Sequence, residues 1–288
     1  MDKIILRANA KINLLLDVTG KLPNGYHSLN MIMQSVDLAD VVTVERGERA
    51  LFCSDPAIPT DARNIAWKAV EAFAAATGID CADTRITIEK HIPSAAGLAG
   101  GSADGAAVLT ALDRLHGTAL SADRLCRIGA SFGADVPFCL TGGTRLALNI
   151  GDVLAPLPPP ESFTFVLAKP ACSVSTKEAY DAFDQTAGVS HVDLTALLFD
   201  AAKGDWERVL CRTCNTFEQF VEVADRVPIK SVMRRCGSVF SMMSGSGPTV
   251  FGVFRARENA EACAEELRRT IPDVFVCDPA PAGVCVLS

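Results

Sequence analysis

Pro93-Ser-Ala-Ala-Gly-Leu-Ala-Gly-Gly-Ser-Ala-Asp-Gly-Ala-Ala107 carries glycine at positions 97, 100, 101 and 105 and then runs into alanines. Just upstream, Ile86 and Ile88 alternate with Thr87 and Glu89, a period of two that predicts a strand. Downstream, from about Ser102, Ala106, Leu109, Leu112 and Leu115 are spaced for one helical face, and Gly117 stands just past the end. The order is strand, glycine-rich loop, helix. Glycine lets the backbone approach a ligand closely and adopt φ > 0. A helix N-terminus adds unpaired N–H groups at the positive end of the helix dipole. Phosphate suits such a segment; the plainer alternative is a flexible surface loop ahead of a packed helix. There is no Gly-Lys-Ser/Thr ending and no G-x-G-x-x-G, so neither the P-loop nor the dinucleotide fingerprint applies.

Working outward, 288 residues predict one large or two medium domains, and 49% hydrophobic with 21% charged residues allows a sizeable core. Net charge is −7 and no lysine or arginine tract occurs, which argues against an electrostatic grip on nucleic acid. Charges at Asp2, Lys3 and Arg7 break any signal-peptide core, and no apolar run reaches membrane-helix length. The expectation is a cytoplasmic protein without a membrane partner. Eleven cysteines are scattered among apolar neighbours, as expected of a reduced protein using cysteine as a small hydrophobe. The one C-x-x-C, Cys211 and Cys214, has no second pair and no histidine nearby in sequence, so a metal or redox role is not expected.

In chain order, residues 3–18 predict a strand on which Ile12, Leu14, Leu16 and Val18 share one face and Lys11 and Asn13 the other. A lysine there either snorkels to solvent or sits in a polar site, because burying its charge unpaired is costly. Pro23-Asn24-Gly25 signals a turn. Tyr26 and His27 follow it directly and either pack the loop or meet a planar ligand. Residues 41–45 predict a strand, 63–76 and 121–131 helices. Asp135 stands among small and apolar residues in Gly133-Ala-Asp-Val-Pro137. It reads either as a helix cap or turn residue, or as a carboxylate with a partner or a task. A strand is predicted around 145–149. Four prolines in Leu154-Ala-Pro-Leu-Pro-Pro-Pro160 predict an irregular, stiff linker and a domain boundary. We therefore expect domains at 1–155 and 161–288. The second reads as strand (163–167), helix (175–183), inserted helices (194–223), a short helix before Gly237, strands (239–242 and 249–254), helix (258–269) and strand (274–277). That is an α+β order with helices on one face of an antiparallel sheet. Ser244-Gly-Ser-Gly-Pro-Thr249 is either a hairpin loop or a second phosphate-contacting loop.

Taken together, these residues resemble the GHMP small-molecule kinases. Pro93 to Ala103 matches their central motif P-x-x-x-G-L-G-G-G-S-S, and Ala10-Lys-Ile-Asn-Leu14, Gly25-Tyr-His27, Gly133-Ala-Asp-Val-Pro137 and Ser244 to Thr249 follow in the family order. The resemblance runs almost end to end. It implies a two-domain α/β fold: an N-terminal domain carrying the phosphate loop and a ferredoxin-like C-terminal domain, with the site in the cleft. It implies that Pro93, Ser94, Ala95, Ala96, Gly97, Leu98, Ala99, Gly100, Gly101, Ser102 and Ala103 wrap the phosphates of ATP, with Asn64 touching the nucleotide. It implies that Asp135 is the general base, with Lys11 beside it and the transferred phosphoryl group. Asn13 and Thr176 would help hold the acceptor. Tyr26, His27 and Tyr180 would hold a cytosine, Tyr180 supplying the second stacking face. The acceptor would then be a small alcohol bearing cytidine diphosphate; homoserine or mevalonate is the alternative. Mg²⁺ is expected with ATP, its ligands unassigned; Asp104 is a candidate by position. A monomer or weak homodimer is expected. Two positions depart from the motif: Ala99 replaces a glycine and Ala103 the second serine, which removes a hydroxyl from the loop.

Overall fold

The computed structural model describes residues 2–160 and 163–288, so residue 161, where the second domain is expected to begin, lies outside the described residues. The first half forms β1 (Lys3–Lys21), β2 (His27–Arg46), β3 (Ala50–Cys53), α1 (Ile65–Thr77), β4 (Thr84–Glu89), α2 (Gly100–Leu115), α3 (Ala122–Ala130), α4 (Val136–Thr141), β5 (Thr144–Asn149) and β6 (Val153–Pro156). The second forms β7 (Thr164–Lys169), α5 (Thr176–Gln185), α6 (Leu194–Ala202), α7 (Trp206–Arg212), α8 (Arg226–Arg235), β8 (Phe240–Met243), β9 (Val250–Phe254), α9 (Arg257–Leu267), β10 (Asp273–Cys277) and β11 (Val284–Val286).

The spine is the β1–β2 hairpin, with Lys3 opposite Glu45 and Lys21 opposite His27. The far edge of β2 is shared: residues 41–46 pair with β4 and residues 29–34 with β5. β3 runs parallel to β4, β6 closes the β5 edge, and β11 pairs with β1 at Leu6–Ala8. The helix α2 lies across β1 and β2 and packs against α1 and α4. Its apolar face, including Ala106, Leu109 and Leu112, is buried against the sheet. From Ala8 to Val18 the β1 strand is buried on both faces. One face meets the α2 layer; the other meets the second half of the chain, where Leu16 bridges Asn215.

The second half is built on a four-stranded antiparallel sheet ordered β10-β7-β9-β8. Its fourth strand lies beside its first and its third beside its second, the ferredoxin-like arrangement. Alternation divides the two faces. Val166, Ala168, Val250 and Phe254 pack under α8 and α9 with Ile229, Met233 and Cys263. Phe165, Leu167, Phe251 and Val253 join the main core shared with the first sheet. A sheet sandwiched in this way reads as a near-continuous apolar run.

Two expectations change. The β2 strand begins at His27, far before residue 41, because its polar residues find buried partners. Thr144 Oγ1 donates to Gln34 Oε1 at 2.5 Å, and Asp40 accepts from the backbone of His91 and Ile92. Proline-rich residues 154–160 are not wholly irregular, since β6 ends at Pro156. Proline is tolerated there because β6 is an edge strand. The chain also returns to its start: β11 places the last residues in the first sheet. All eleven cysteines are free. Among the described residues, no helix is long and apolar enough to cross a membrane.

Candidate active site

A cleft of about 910 Å³ opens between the loop before α2, the tip of the β1–β2 hairpin and α5. The loop is held from behind. Lys11 N donates to Leu98 O at 3.1 Å, and Ser244 Oγ donates to Gly97 O at 3.0 Å. Gly97 has φ +74°, and a Cβ there would lie 2.3 Å from Ser244 O, so no larger residue fits without parting the two loops. With those carbonyls engaged, none of the backbone N–H groups from Ser94 to Ser102 has an acceptor among the described residues. Unpaired donors at a helix N-terminus are a ready anion site. Residues 244–249 therefore buttress the glycine loop, and Ser246 and Gly245 also line the cleft.

Ala99 occupies the N-cap of α2 at φ +58°, a left-handed conformation that its methyl group disfavours by about 1 kcal/mol or more. Ala103 does not reach the cleft. It is 0% exposed in the core, so the serine it replaces in the motif bears here on packing rather than on a phosphate. Asn64 lines the cleft but spends its side chain on structure, accepting from Ala66 N as the N-cap of α1 and donating to Pro59 O at 2.7 Å.

Lys11 does not snorkel. Its side chain is 6% exposed, and its Nζ donates to Asn13 Oδ1 at 2.7 Å and lies 3.8 Å from Asp135 Oδ2. Asn13 Oδ1 also accepts from Gly245 N at 3.1 Å, so Asn13 joins the lysine to the buttress loop and keeps little capacity to hold a ligand. Asp135 sits at the N-cap of α4, yet its side chain caps nothing; at 34% exposure it faces the cleft. The cap reading fails because Asp135 is itself in the right-handed helical region (φ −83°, ψ −9°), not the extended one usual for a capping residue.

At the other end, His27 stacks on Tyr180 with centroids 4.6 Å apart and planes 22° apart. Phe217 meets Tyr180 nearly edge-on at 5.1 Å. The stacking face of Tyr180 is thus taken by the imidazole, while Tyr26 stands apart at the hairpin tip, 61% exposed. Burial pushes the Tyr180 hydroxyl up to about 12, so it stays protonated. Thr176 shares a hydrogen bond with Ser246 at 2.9 Å.

Three residues that sequence reasoning missed belong here. Asp184 lies one turn beyond Tyr180 and two beyond Thr176 on the same α5 face, an i, i+4, i+8 signal legible in hindsight. Lys90 is buried between Asp40 and Asp104, 2.8 Å from Asp104 Oδ2. Burial opposes its charge, but the two carboxylates outweigh this and raise its pKa. Burial also holds the Asp104 carboxyl above its ordinary range, against the pull of Lys90. Asp40 also accepts two backbone N–H groups, from His91 and Ile92. Asp104 lines the cleft with its Oδ2 on Lys90, and its Oδ1 is buried without a partner among the described residues. Among the described residues no group of three His, Cys, Asp or Glu side chains is placed to cage a metal.

Comparison with known proteins agrees with this architecture. The GHMP kinases N terminal domain matches residues 64–143 and the GHMP kinases C terminal domain residues 227–273. The 4-diphosphocytidyl-2-C-methyl-D-erythritol kinase of Clostridium botulinum is 41% identical over 94% of this chain and 98% of its own. The enzyme of that name from Gloeobacter violaceus is 42% identical over 99% of this chain and 97% of its own. A crystal structure of 4-(cytidine 5'-diphospho)-2C-methyl-D-erythritol kinase superposes with a TM-score of 0.79 at 30% identity, covering 96% of this chain and 99% of that one. A homoserine kinase from Cytophaga hutchinsonii shares the fold at a TM-score of 0.75 and 20% identity. Sequence identity near 40% across almost the full length of both partners shows that this chain is a small-molecule kinase belonging to the 4-diphosphocytidyl-2-C-methyl-D-erythritol kinase family of the GHMP kinases.

Proposed function

We propose that the protein transfers the γ-phosphoryl group of ATP to the 2-hydroxyl of 4-diphosphocytidyl-2-C-methyl-D-erythritol, in the non-mevalonate route to isoprenoids. The observation that carries this reading is the pairing of Lys11 with Asp135 in one cleft with a row of unpaired backbone N–H groups. A donor cradle, a fixed cation and a partly exposed carboxylate are the parts phosphoryl transfer needs. The Ser94–Ser102 backbone holds the phosphates. Asp135 takes the proton of the attacking hydroxyl as the new O–P bond forms and the bond to the ADP oxygen breaks. Lys11, locked by Asn13, meets the charge on the equatorial oxygens without moving. Tyr26, with the stacked His27–Tyr180 pair beside it, holds the cytosine and so orients the hydroxyl in line. Mg²⁺, when bound with ATP, would neutralise phosphate charge; with Lys90 on Asp104, it would arrive on the phosphates rather than in a protein cage.

The same machinery would serve a GHMP kinase acting on homoserine or mevalonate. The aromatic cluster at the hairpin end favours the cytidine acceptor, because a small acyclic substrate needs no aromatic floor. Coupled ATP-consumption assays with the three acceptors decide between them. Turnover is expected with the cytidine diphosphate substrate, and turnover confined to homoserine or mevalonate would reverse the assignment.

A further inference from the structure

We infer that Asn215 is a positioning residue for phosphoryl transfer: it holds the Gly245 peptide against Asn13, and Asn13 in turn keeps the Lys11 ammonium at the transfer point. This rests on the role given to Lys11 above and extends it to a residue in the second half of the chain, outside the motifs.

Asn215 is buried, and both polar atoms of its side chain are engaged. Nδ2 donates to Met243 O at 2.7 Å and to Gly245 O at 2.8 Å. Oδ1 accepts from Phe217 N at 3.0 Å. The residue is itself fixed to the strand that carries Lys11. Leu16 N donates to Cys214 O, Thr213 Oγ1 donates to Leu14 O, and Thr216 Oγ1 accepts from Val18 N. Residues 213–216 therefore run beside β1 and reach from it to the loop after β8.

Between the two carbonyls that Asn215 holds lies the Ser244–Gly245 peptide. Its carbonyl accepts from Gly247 N at 3.0 Å, and its N–H donates to Asn13 Oδ1 at 3.1 Å. A backbone N–H can only donate, so it requires the oxygen of the Asn13 amide on its side. Lys11 Nζ donates to that same oxygen at 2.7 Å. Turned the other way, the amide would set its NH₂ against the ammonium, donor against donor, and the buried lysine would lose the bond that fixes it. Asn215 thus acts on Lys11 through Gly245 and Asn13, while it does not itself line the cleft. The glycine loop is less exposed to its loss, because Ser244, which holds Gly97 O, has a separate anchor in Thr249 O at 2.9 Å.

The test is a double-mutant cycle on the full-length protein: wild type, Asn215→Ala, Lys11→Ala and the double variant, with ATP and the acceptor that wild type turns over. Rates are read well below the thermal midpoints, since Asn215→Ala strands two buried carbonyls and should lower its midpoint by several degrees. Asn215→Ala should lower kcat about thirtyfold, between the scale of one hydrogen bond and that of a misplacement of about 1 Å, with KM for both substrates within about twofold. Lys11→Ala should lower kcat by about a thousandfold. With Lys11 gone there is no ammonium left to aim, so adding Asn215→Ala should then change kcat by less than about twofold. A loss that reflects only a loosened fold would instead multiply with that of Lys11→Ala. The same factor in both backgrounds, or wild-type kcat in Asn215→Ala, overturns the positioning role. Wild-type kcat in Lys11→Ala overturns the role of Lys11 beneath it. If Asn215→Ala does not fold, Asn215→Asp, which keeps the size and the bond from Phe217 N but donates to neither carbonyl, carries the same outcomes.

Discussion

Gly97→Ala tests the claim that two loops from opposite halves of the chain are locked together behind the phosphate cradle. The added Cβ would sit 2.3 Å from Ser244 O and 3.1 Å from Gly247 O, with φ at +74°. Ordinary contact requires the two backbones to part by roughly 1 Å. The left-handed conformation costs alanine about 1–2 kcal/mol. Parting the loops weakens the Ser244 Oγ to Gly97 O bond and the Gly245 N to Asn13 Oδ1 bond, about 1 kcal/mol each. Replacing glycine restricts the unfolded chain and returns about 0.4–1 kcal/mol. The net loss is about 2–3 kcal/mol, a fall of roughly 5 °C in thermal midpoint for a protein of this size. A displacement of that size at the cradle should lower kcat/KM for ATP about a hundredfold. Calorimetry and initial rates measure both. Gly101→Ala is the control for stability: its nearest contact is 3.6 Å away, on Ile65, so its midpoint should match wild type within about 0.5 kcal/mol. A Gly97→Ala protein with wild-type midpoint and wild-type kcat/KM would refute the locked-loop argument.

Asp135→Ala should lower kcat by about a thousandfold with ATP affinity near wild type, and should lower the thermal midpoint, because it leaves the buried Lys11 ammonium without its carboxylate; an active variant removes Asp135 from the chemistry. Tyr26→Ala, at an exposed site, should raise KM for the cytidine substrate about tenfold and leave stability unchanged; an effect on ATP alone contradicts its assignment. Burial lifts the Asp104 carboxyl from its ordinary 3.8 to about 8. The folded state then binds the proton more tightly than the unfolded one. Its contribution is full below pH 3.8 and is lost as pH rises towards 8. Asp104→Asn should abolish that slope in denaturation curves taken between those limits, and parallel curves for the two proteins would show that Asp104 titrates normally.

Legibility followed the range of the interaction. The glycine loop and α2 could be read directly, since turn chemistry and helical spacing are local properties. The two polar residues in odd places, Lys11 and Asp135, were legible as anomalies, but composition and spacing left each with a bland alternative. Tertiary geometry decided between them: Lys11 is buried on Asn13, and Asp135, in the turn before α4, caps nothing and faces the cleft. The first half of β2 was hidden because Gln34 and Asp40 look like loop residues until their partners Thr144, His91 and Ile92 are brought in. Ala103 looked like a lost ligand contact and is a core residue. The proline segment concealed β6 because proline forbids interior strands but not edges.

The sequence by itself determined the layered α/β architecture, the phosphate loop and the family motifs, because periodicity, glycine content and residue order are written along the chain. Only the tertiary structure decided what those parts do to one another. It set Ser244 against Gly97, Asp184 against Lys21 and His27, and Lys90 between Asp40 and Asp104. These are contacts between residues far apart in sequence. Their energies depend on burial and on distances of a few ångströms, and no local pattern encodes either.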